Sequence, residues 1–334
     1  MHVNKETNHN QPLVSILVPV YQVEEYIERC ARSLFEQTYD DLDYVFCDDC
    51  SPDDSIQKLE EVMKEYPLRS EQIRIIRHEQ NRGSAAARNT LIDNCKGVFC
   101  FWADADDWVE TNAVELLVKK QQETDADIVT GRAYAYMTDR VTRCHDGWDL
   151  GKNMLMEEII KCKCGSTLWR RLIRKSLFTD YGIRFHEGVN GREDYAVVIP
   201  LLYYAKKIAG IDGIVYHYNM TNTSSLSYGY KDLSFQLDYL ESCELIIAFF
   251  EGKDEHYHRL CEEMKIKRAH DFMMIHYKNR YRKGYQSMAQ YLSKSDKKYW
   301  EKIRWGKWII RTIESNYYMM RLTYPLRKIY TKLS

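Results

Sequence analysis

The chain has 334 residues, of which 45% are hydrophobic and 29% charged, a composition that excludes a disordered chain and suits one or two folded domains. The net charge is −1, yet the part from Arg259 onward holds 19 Lys and Arg against 6 acidic residues, which predicts contact with an anionic surface. No apolar signal segment and no uncharged run of ~18 residues is present, and the ten Cys lie largely in apolar runs, so we expect a cytoplasmic protein with reduced thiols.

Hydrophobic periodicity predicts strands that alternate with helices over the first 136 residues. The strands are near-continuous apolar runs rich in β-branched residues, which are typical of parallel strands buried on both faces. Ser51 and Asp48 are candidate caps of the second helix, with Pro52 in its first position. We predict strands over 13–21, 43–49, 73–78, 98–107 and 126–136, and helices over 23–38, 51–66, 83–95 and 109–124.

Beyond about residue 140 the periodicity is weaker. Residues 164–178 mix turn residues with an amphipathic helix, 191–208 predict a helix, and 211–219 predict a short strand. From about residue 233 the pattern favours helices that carry basic and aromatic residues. No internal repeat is visible.

Strands that alternate with single helices predict right-handed βαβ units and a doubly wound α/β sheet. Ligands of such sheets bind beyond the carboxyl ends of the strands. Residues 19–21, 48–49 and 104–107 each lie at the carboxyl end of a predicted strand. Because these ends meet at one edge of the sheet, we expect the three groups to form one site.

The last of these groups holds three carboxylates, those of Asp104, Asp106 and Asp107. Carboxylates this close repel one another unless a cation or water separates them. Residues i and i+2 of an extended segment project to the same side, so Asp104 and Asp106 could face one hard cation such as Mg²⁺ or Mn²⁺. A solvated turn is the alternative interpretation.

Four segments, in chain order, resemble the family-two glycosyltransferases. Residues 14–55 resemble that family's opening strand, helix and second strand, and Cys50 departs from its usual Gly. The segments NRGSAAARN (81–89), WADADDW (102–108) and GREDYA (191–196) resemble its N-x-G-x-x-x-A-R-N segment, its D-x-D-D metal motif and its Glu-Asp catalytic pair. The resemblance covers roughly residues 13–225.

The resemblance implies an inverting, metal-dependent transferase of the GT-A fold, with a mixed, mostly parallel, Rossmann-like sheet and a C-terminal helical extension. The expected donor is a nucleotide-diphosphate sugar, with UDP as its expected nucleotide, and the expected cofactor is Mn²⁺ or Mg²⁺. The acceptor would be a hydroxyl of a glycan or of a lipid-linked acceptor in surface polysaccharide synthesis. No nucleic acid is expected as a partner.

For the donor side, the resemblance implies that Asp49 accepts a hydrogen bond from the nucleotide base, typically N3–H of uracil. Pro19, Val20 and Tyr21 would form the floor of the base pocket, and Glu25 could reach it.

For the diphosphate side, the resemblance implies that Asp106 contacts the metal and that Asp104 contacts the metal or the ribose, while Asp107 holds the loop. His217 is a candidate third metal ligand or a diphosphate contact. A structural histidine between two tyrosines is the alternative interpretation.

The resemblance places Arg88 near the nucleotide, with a surface salt bridge as the alternative. It makes Asp194 the general base, with Glu193 as its helper or as a residue that favours the helix start. The helix dipole predicts a lowered pKa for Asp194, which would then be ionised at neutral pH. Trp169 could stack on a sugar or pack in the core.

These patterns predict a polar tail over 1–12, a GT-A domain over 13–225 and a helical, basic and aromatic region over 226–334. Within the last region, Trp305 and Trp308 fall at helical spacing among Lys and Arg. Such a segment favours peripheral binding to the inner face of an anionic membrane, or it packs on the catalytic domain.

Two other functions are alternatives to glycosyl transfer. A sugar-phosphate nucleotidyltransferase needs a Gly-rich phosphate loop after its first strand, and residues 19–26 contain no Gly. A non-enzymatic, membrane-bound scaffold would show no nucleotide affinity and no effect of the acidic cluster.

Overall fold

The computed structural model describes residues 11–144, 147–190, 192–223, 225, 232–279 and 281–293. The chain divides into two compact units, Met1–Tyr228 and Gly229–Ser334. The first unit contains a sheet of nine strands among its described residues. These are β1 Val14–Val20, β2 Leu42–Asp48, β3 Ile73–Arg77, β4 Phe99–Trp102, β5 Trp108–Val109, β6 Ile128–Tyr136, β7 Val141–Arg143, β8 Arg171–Arg174 and β9 Ile208–Asn219.

The helices of this unit connect the strands. They are α1 Ile27–Phe35, α2 Ser55–Glu65, α3 Ser84–Asn94, α4 Ala113–Thr124, α5 Lys152–Ile160, α6 Ser176–Asp180 and α7 Glu193–Tyr204, with a 3₁₀ turn at Pro67–Gln72. The second unit holds three described helices, α8 Leu233–Phe250, α9 Glu255–Lys278 and α10 Arg282–Ser293.

The strand order is β3-β2-β1-β4-β8-β6-β9-β5, and β7 pairs with β6. Strands β1 to β4 are parallel to one another, as their βαβ connections require. Beyond β4 the sheet is mixed, because β8 runs antiparallel to both β4 and β6 while β6 and β9 are parallel. The predicted α/β class with a mixed sheet is confirmed.

The strongest sequence pattern corresponds to the centre of the sheet. Nearly every residue of β1 and β2 is buried, as expected for parallel strands with a helix layer on each face. Helix α1 contributes Ile27, Leu34 and Phe35 to this core. Burying each such side chain stabilises the folded state by about 1.5–3 kcal/mol. This packing holds β1 and β2 in place and thereby fixes the positions at which the two strands end.

Several predicted segments differ from the structure. The strand predicted over 98–107 ends at Trp102, and the helix predicted over 109–124 begins at Ala113, after the short strand β5. Residues 164–178 were predicted as turn and helix, but Arg171–Arg174 forms β8 between β4 and β6.

Helix α2 begins at Ser55 rather than near Ser51. Asp48 Oδ1 accepts from the Ser51 N–H at 2.8 Å and Asp53 Oδ1 from the Ser55 N–H at 3.3 Å, so a hydrogen-bonded turn precedes the helix.

The second unit contains buried polar contacts. Gln236 Oε1 lies 2.6 Å from His276 Nε2, and Lys265 Nζ lies 3.0 Å from Glu244 and 3.1 Å from Glu262. Among the described helices, none combines the length and apolarity that crossing a bilayer requires. The basic segment around Trp305 and Trp308 lies outside the described residues.

Candidate active site

The carboxylate of Asp49 is held rigidly at the end of β2. Its own N–H donates to the Val20 carbonyl at 3.0 Å, which joins it to the end of β1. Its Oδ1 accepts from the Arg82 N–H at 2.8 Å and lies 2.7 Å from His78 Nδ1, and its Oδ2 accepts from the Gly83 N–H at 2.8 Å. Asp49 is also buried, and these three protein groups orient its carboxylate.

The residues proposed for the base pocket lie beside Asp49 at the end of β1. Pro19 is half-buried, Val20 is buried, and Tyr21 is 41% exposed. Glu25 is exposed in the connection to α1. An exposed ring next to an oriented carboxylate is a geometry that could receive a flat heterocycle.

The three carboxylates after β4 have different surroundings. Asp107 is buried, and it accepts from the Asn219 N–H and from the Tyr216 hydroxyl, each at 2.7 Å. The same hydroxyl accepts from the Asp104 N–H at 3.0 Å. Asp107 therefore ties this loop to β9, and Asp104 and Asp106 are left to face the site.

Asp106 combines burial with a nearby like charge. Its Oδ2 accepts from Asn222 Nδ2 at 2.9 Å. Burial, followed by repulsion from Asp104, raises the pKa of Asp106 to about 6. Few neighbouring groups compensate the negative charge of Asp106, so a nearby cation would stabilise its ionised form.

The donor atoms suit a hard divalent ion, since Asp104 and Asp106 offer carboxylate oxygens two residues apart. The part of the chain that the structure describes contains no preassembled group of three His, Cys, Asp or Glu able to hold a metal. Two carboxylates with water and a diphosphate are the usual ligand set of Mg²⁺ in such sites, so the residues fit the ion without a third protein ligand.

Arg88, on α3, joins this acidic loop to the start of α7. Its guanidinium lies 2.8 Å from Asp104 Oδ1, 3.6 Å from Glu193 Oε1 and 4.0 Å from Asp194 Oδ1. The side chain is 7% exposed. Burial alone would lower the pKa of Arg88, but the three carboxylates raise it, so the charge is retained. The surface salt bridge considered as an alternative does not describe this residue.

Helix α3 acts as the common support of the site. Its N-terminal end binds Asp49 through the N–H of Gly83, which adopts φ +88°, a conformation that favours glycine. In its first turn, Ser84 donates to Glu193 Oε1 at 3.1 Å. Arg88 follows one turn later, so one helix contacts Asp49, the acidic loop and the α7 pair.

The predicted helix start at Glu193 and Asp194 is present, since α7 is Glu193–Tyr204. Asp194 Oδ2 accepts from the Leu168 N–H at 3.3 Å, whereas its Oδ1 is buried and receives no hydrogen bond from the described residues. Such an oxygen is suited to accept a proton or a hydroxyl hydrogen bond from a substrate.

The expected lowering of the Asp194 pKa is wrong. Burial raises it, against the opposing effect of Arg88, and burial also raises the pKa of Glu193 to about 7. The desolvation of two adjacent carboxylates outweighs the helix dipole, which contributes typically 0.3–1 kcal/mol at exposed sites. A carboxylate with its pKa raised toward neutrality is better matched to general-base catalysis than one with a low pKa.

His217 and Trp169 both have extensive protein contacts. His217 Nε2 lies 2.9 Å from Glu110 and Nδ1 3.0 Å from the Tyr136 hydroxyl, and the ring stacks on Trp108. With both nitrogens engaged, His217 does not suit the metal role. Trp169 is buried in a stack of rings with Tyr216 and Tyr218, as the core alternative predicts.

Several supporting residues were not found from the sequence. Asn89 holds the backbone of Phe185, with its Nδ2 donating to the carbonyl and its Oδ1 accepting from the N–H, both at 2.9 Å. Tyr216 and His78 contact the carboxylates described above. Asn89 is the last residue of the NRGSAAARN segment, and its position in that motif could have identified it as a residue of the site. Tyr216 gave no such signal.

The chain is similar to known glycosyltransferases. The family model described as "Glycosyl transferase family 2" matches residues 15–180. The chain is 30% identical over 227 residues to the "Uncharacterized glycosyltransferase EpsJ" of Bacillus subtilis (strain 168), which is 66% of this chain and 64% of EpsJ. The chain thus spans just under two thirds of that relative.

Two solved structures share the fold. A crystal structure of S. aureus TarS 1-349 in complex with UDP-GlcNAc has a TM-score of 0.68 at 17% identity, over 94% of this chain and 92% of that chain. The mannosyltransferase PcManGT from Pyrobaculum calidifontis, in complex with GDP-Man and Mn²⁺, has a TM-score of 0.54 at 14% identity, over 90% and 86%. The expected GT-A type of sheet is therefore confirmed.

Proposed function

Because this chain is a member of the family-two glycosyltransferases, we propose that it transfers a sugar from a nucleotide-diphosphate donor to an acceptor hydroxyl, with inversion at the sugar carbon. The observation that carries the proposal is the Arg88 junction. Asp104 of the acidic loop and the Glu193–Asp194 pair contact one buried guanidinium. A donor diphosphate at the loop would then lie beside a carboxylate able to take the acceptor proton.

On the donor side, Asp49 is the proposed contact to the base. Pro19, Val20 and Tyr21 would line the pocket, with Glu25 at its rim. A UDP-sugar is the proposed donor, because a carboxylate that accepts hydrogen bonds suits the N3–H of uracil. The complex of S. aureus TarS with UDP-GlcNAc supports this choice.

A divalent cation, Mn²⁺ or Mg²⁺, is the proposed cofactor, with Asp106 and Asp104 as its protein ligands. When bound, such an ion neutralises the negative charge that develops on a leaving diphosphate. The complex of PcManGT with GDP-Man and Mn²⁺ supports this assignment. His217 is left out of the ligand set, because its ring nitrogens already contact Glu110 and Tyr136.

Asp194 is the proposed general base. An inverting transfer is one in-line displacement, in which a single carboxylate takes the proton as the acceptor oxygen attacks. Oδ1 of Asp194, which receives no hydrogen bond from the described residues, would accept that proton, and the Leu168 N–H holds the other oxygen in place. Glu193, fixed by Ser84, is the proposed helper that keeps negative charge next to Arg88.

The acceptor proposal is a glycan or lipid-linked hydroxyl in surface polysaccharide synthesis, and it rests on family membership. The basic C-terminal segment is proposed to bring the protein to an anionic membrane surface. Co-sedimentation with anionic vesicles at low salt, compared with a chain ending near residue 300, tests this. Equal sedimentation of the two chains contradicts it.

Calorimetric titration with UDP, GDP and CDP, each with and without Mn²⁺, tests the donor site. We expect UDP to bind with an affinity that Mn²⁺ increases, and Asp106→Ala to remove that increase. Asp139→Ala removes an exposed aspartate from the turn between β6 and β7 and is the matched control. UDP binding that ignores both Mn²⁺ and Asp106→Ala contradicts the metal assignment.

Asp194→Asn tests the base separately. The substitution is isosteric, so the affinity for UDP should remain near that of the wild type. Release of UDP from the UDP-sugar in the presence of acceptor should be abolished. Retained turnover would remove Asp194 from the role of base.

A further inference from the structure

His78 is a buried titratable side chain for which the proposed reaction provides no role. It directly follows β3, its N–H donates to the Asp48 carbonyl at 2.9 Å, and its side chain is 6% exposed. Nδ1 lies 2.7 Å from Asp49 Oδ1, and Nε2 lies 2.9 Å from Thr90 Oγ1 and 3.6 Å from Cys47 Sγ. The ring is therefore fixed between β2, α3 and the proposed base contact.

The position of the proton follows from the partners. An ionised carboxylate can only accept hydrogen bonds, so Nδ1 of His78 carries the hydrogen that faces Asp49. In the neutral ring Nε2 is then an acceptor, and the Thr90 hydroxyl donates to it. Thr90 thus orients the ring of His78, and the ring orients the carboxylate of Asp49.

This arrangement limits how many further hydrogen bonds Asp49 can accept. A carboxylate has about four acceptor sites. Among the described residues, His78 and the Arg82 N–H occupy two on Oδ1, and the Gly83 N–H occupies one on Oδ2. One site on Oδ2 remains, which matches a base that presents a single ring N–H, such as uracil or guanine. The ring N3 of cytosine is an acceptor and would face the same carboxylate with no hydrogen between them.

We propose that His78 is a positioning residue for base selection, which anchors Oδ1 of Asp49 and thereby leaves Oδ2 for one N–H of the nucleotide base. The inference rests on the proposed function, in which Asp49 contacts the donor base. His78 acts only through Asp49. This role differs from proton transfer, which is proposed for Asp194, and from metal binding, which is proposed for Asp106.

Two substitutions at position 78 separate hydrogen bonding from packing. His78→Asn places an amide N–H close to the position of Nδ1, so it can still donate to Asp49. His78→Gln places its amide one bond further out, near the position of Nε2, and loses that donor. The measurement is the Kd of UDP and of CDP in the presence of Mn²⁺, for the wild type and both variants of the full chain.

We expect His78→Gln to weaken UDP binding about 10- to 100-fold, the effect of losing a hydrogen bond to a charged group, and to leave CDP binding little changed. The UDP-over-CDP selectivity should therefore collapse in His78→Gln and persist in His78→Asn. A structural role without base selection would lower both affinities together. Equal selectivity in the wild type and His78→Gln would overturn the proposal.

A second variant keeps the test decisive if His78→Gln does not fold. Thr90→Val retains the size of the side chain and removes the hydroxyl that orients Nε2. It should reduce the UDP-over-CDP selectivity in the same direction by a smaller factor, and an unchanged ratio would overturn the proposal. A wild-type protein that binds no nucleoside diphosphate contradicts the proposed function itself, whereas wild-type selectivity that every variant retains contradicts only the role of His78.

Discussion

Replacing Arg88 by methionine removes the charge on which the acidic groups of the site depend. The guanidinium is 7% exposed and faces three carboxylates, those of Asp104, Glu193 and Asp194, at 2.8, 3.6 and 4.0 Å. Removing one partner of a buried ion pair costs about 3–5 kcal/mol, because the other charge stays buried without compensation. We expect Arg88→Met to lose about that much free energy of unfolding at pH 8.

The same substitution at an exposed ion pair supplies the control. Arg77 lies 2.6 Å from Glu60, but the two side chains are 56% and 48% exposed. Water screens such a pair, so Arg77→Met should cost less than about 1 kcal/mol. Urea unfolding of the wild type and both variants measures the difference.

The pH dependence of the free energy of unfolding tests the role of Arg88 independently. Without Arg88, the pKa values of Glu193 and Asp194, which burial already raises, rise further above their unfolded values. The folded variant then binds protons that the unfolded chain has released, so its relative stability increases as the pH falls. The loss should therefore be smaller at pH 5 than at pH 8. A loss below about 1 kcal/mol at pH 8, or an equal loss at both pH values, would refute this account.

Two further predictions concern the reaction. In its proposed role as base, Asp194 must be ionised to accept a proton, and burial raises the pKa values of both Asp194 and Glu193. We therefore expect kcat/KM to rise with pH through an apparent pKa that belongs to the pair and lies above the ordinary range of a carboxyl group, and a profile flat from pH 5 to 8 would contradict this. Asn89→Leu removes two hydrogen bonds to Phe185, so unfolding should need about 1–3 kcal/mol less and kcat should fall more than UDP affinity. Asn94 is exposed and donates only to the Thr90 carbonyl of its own helix, so Asn94→Leu should change neither stability nor kcat. Equal effects of the two Asn variants would argue against a positioning role.

The parallel half of the sheet and its ligand edge could be predicted because they depend on local patterns. Long apolar runs mark β1 and β2, and polar groups follow each run, so topology alone brings Asp49 and Asp104 to one edge. The short strand β8 was not predicted because its four residues begin and end with Arg, a pattern typical of an exposed segment. In the structure, however, Arg171 is buried.

Properties that depend on packing could not be predicted. The raised pKa of Asp194 arises from burial by segments distant in sequence, while the helix dipole, which is visible locally, has the opposite sign. Likewise, the contacts of His217 with Glu110 and Tyr136 exist because β9 pairs with β5 and β6. In the sequence, the residue type and position of His217 suggested a metal ligand. In the structure, the pairing of the strands determines which side chains His217 contacts.

A crystal structure of the full chain with UDP and Mn²⁺ tests the central claim most directly. The account predicts the base hydrogen-bonded to Asp49 Oδ2 beside Tyr21, the ion on Asp106 and Asp104, and the diphosphate on the Asp194 side of that ion. UDP bound away from the ends of β1, β2 and β4, or Mn²⁺ that contacts neither aspartate, would contradict it.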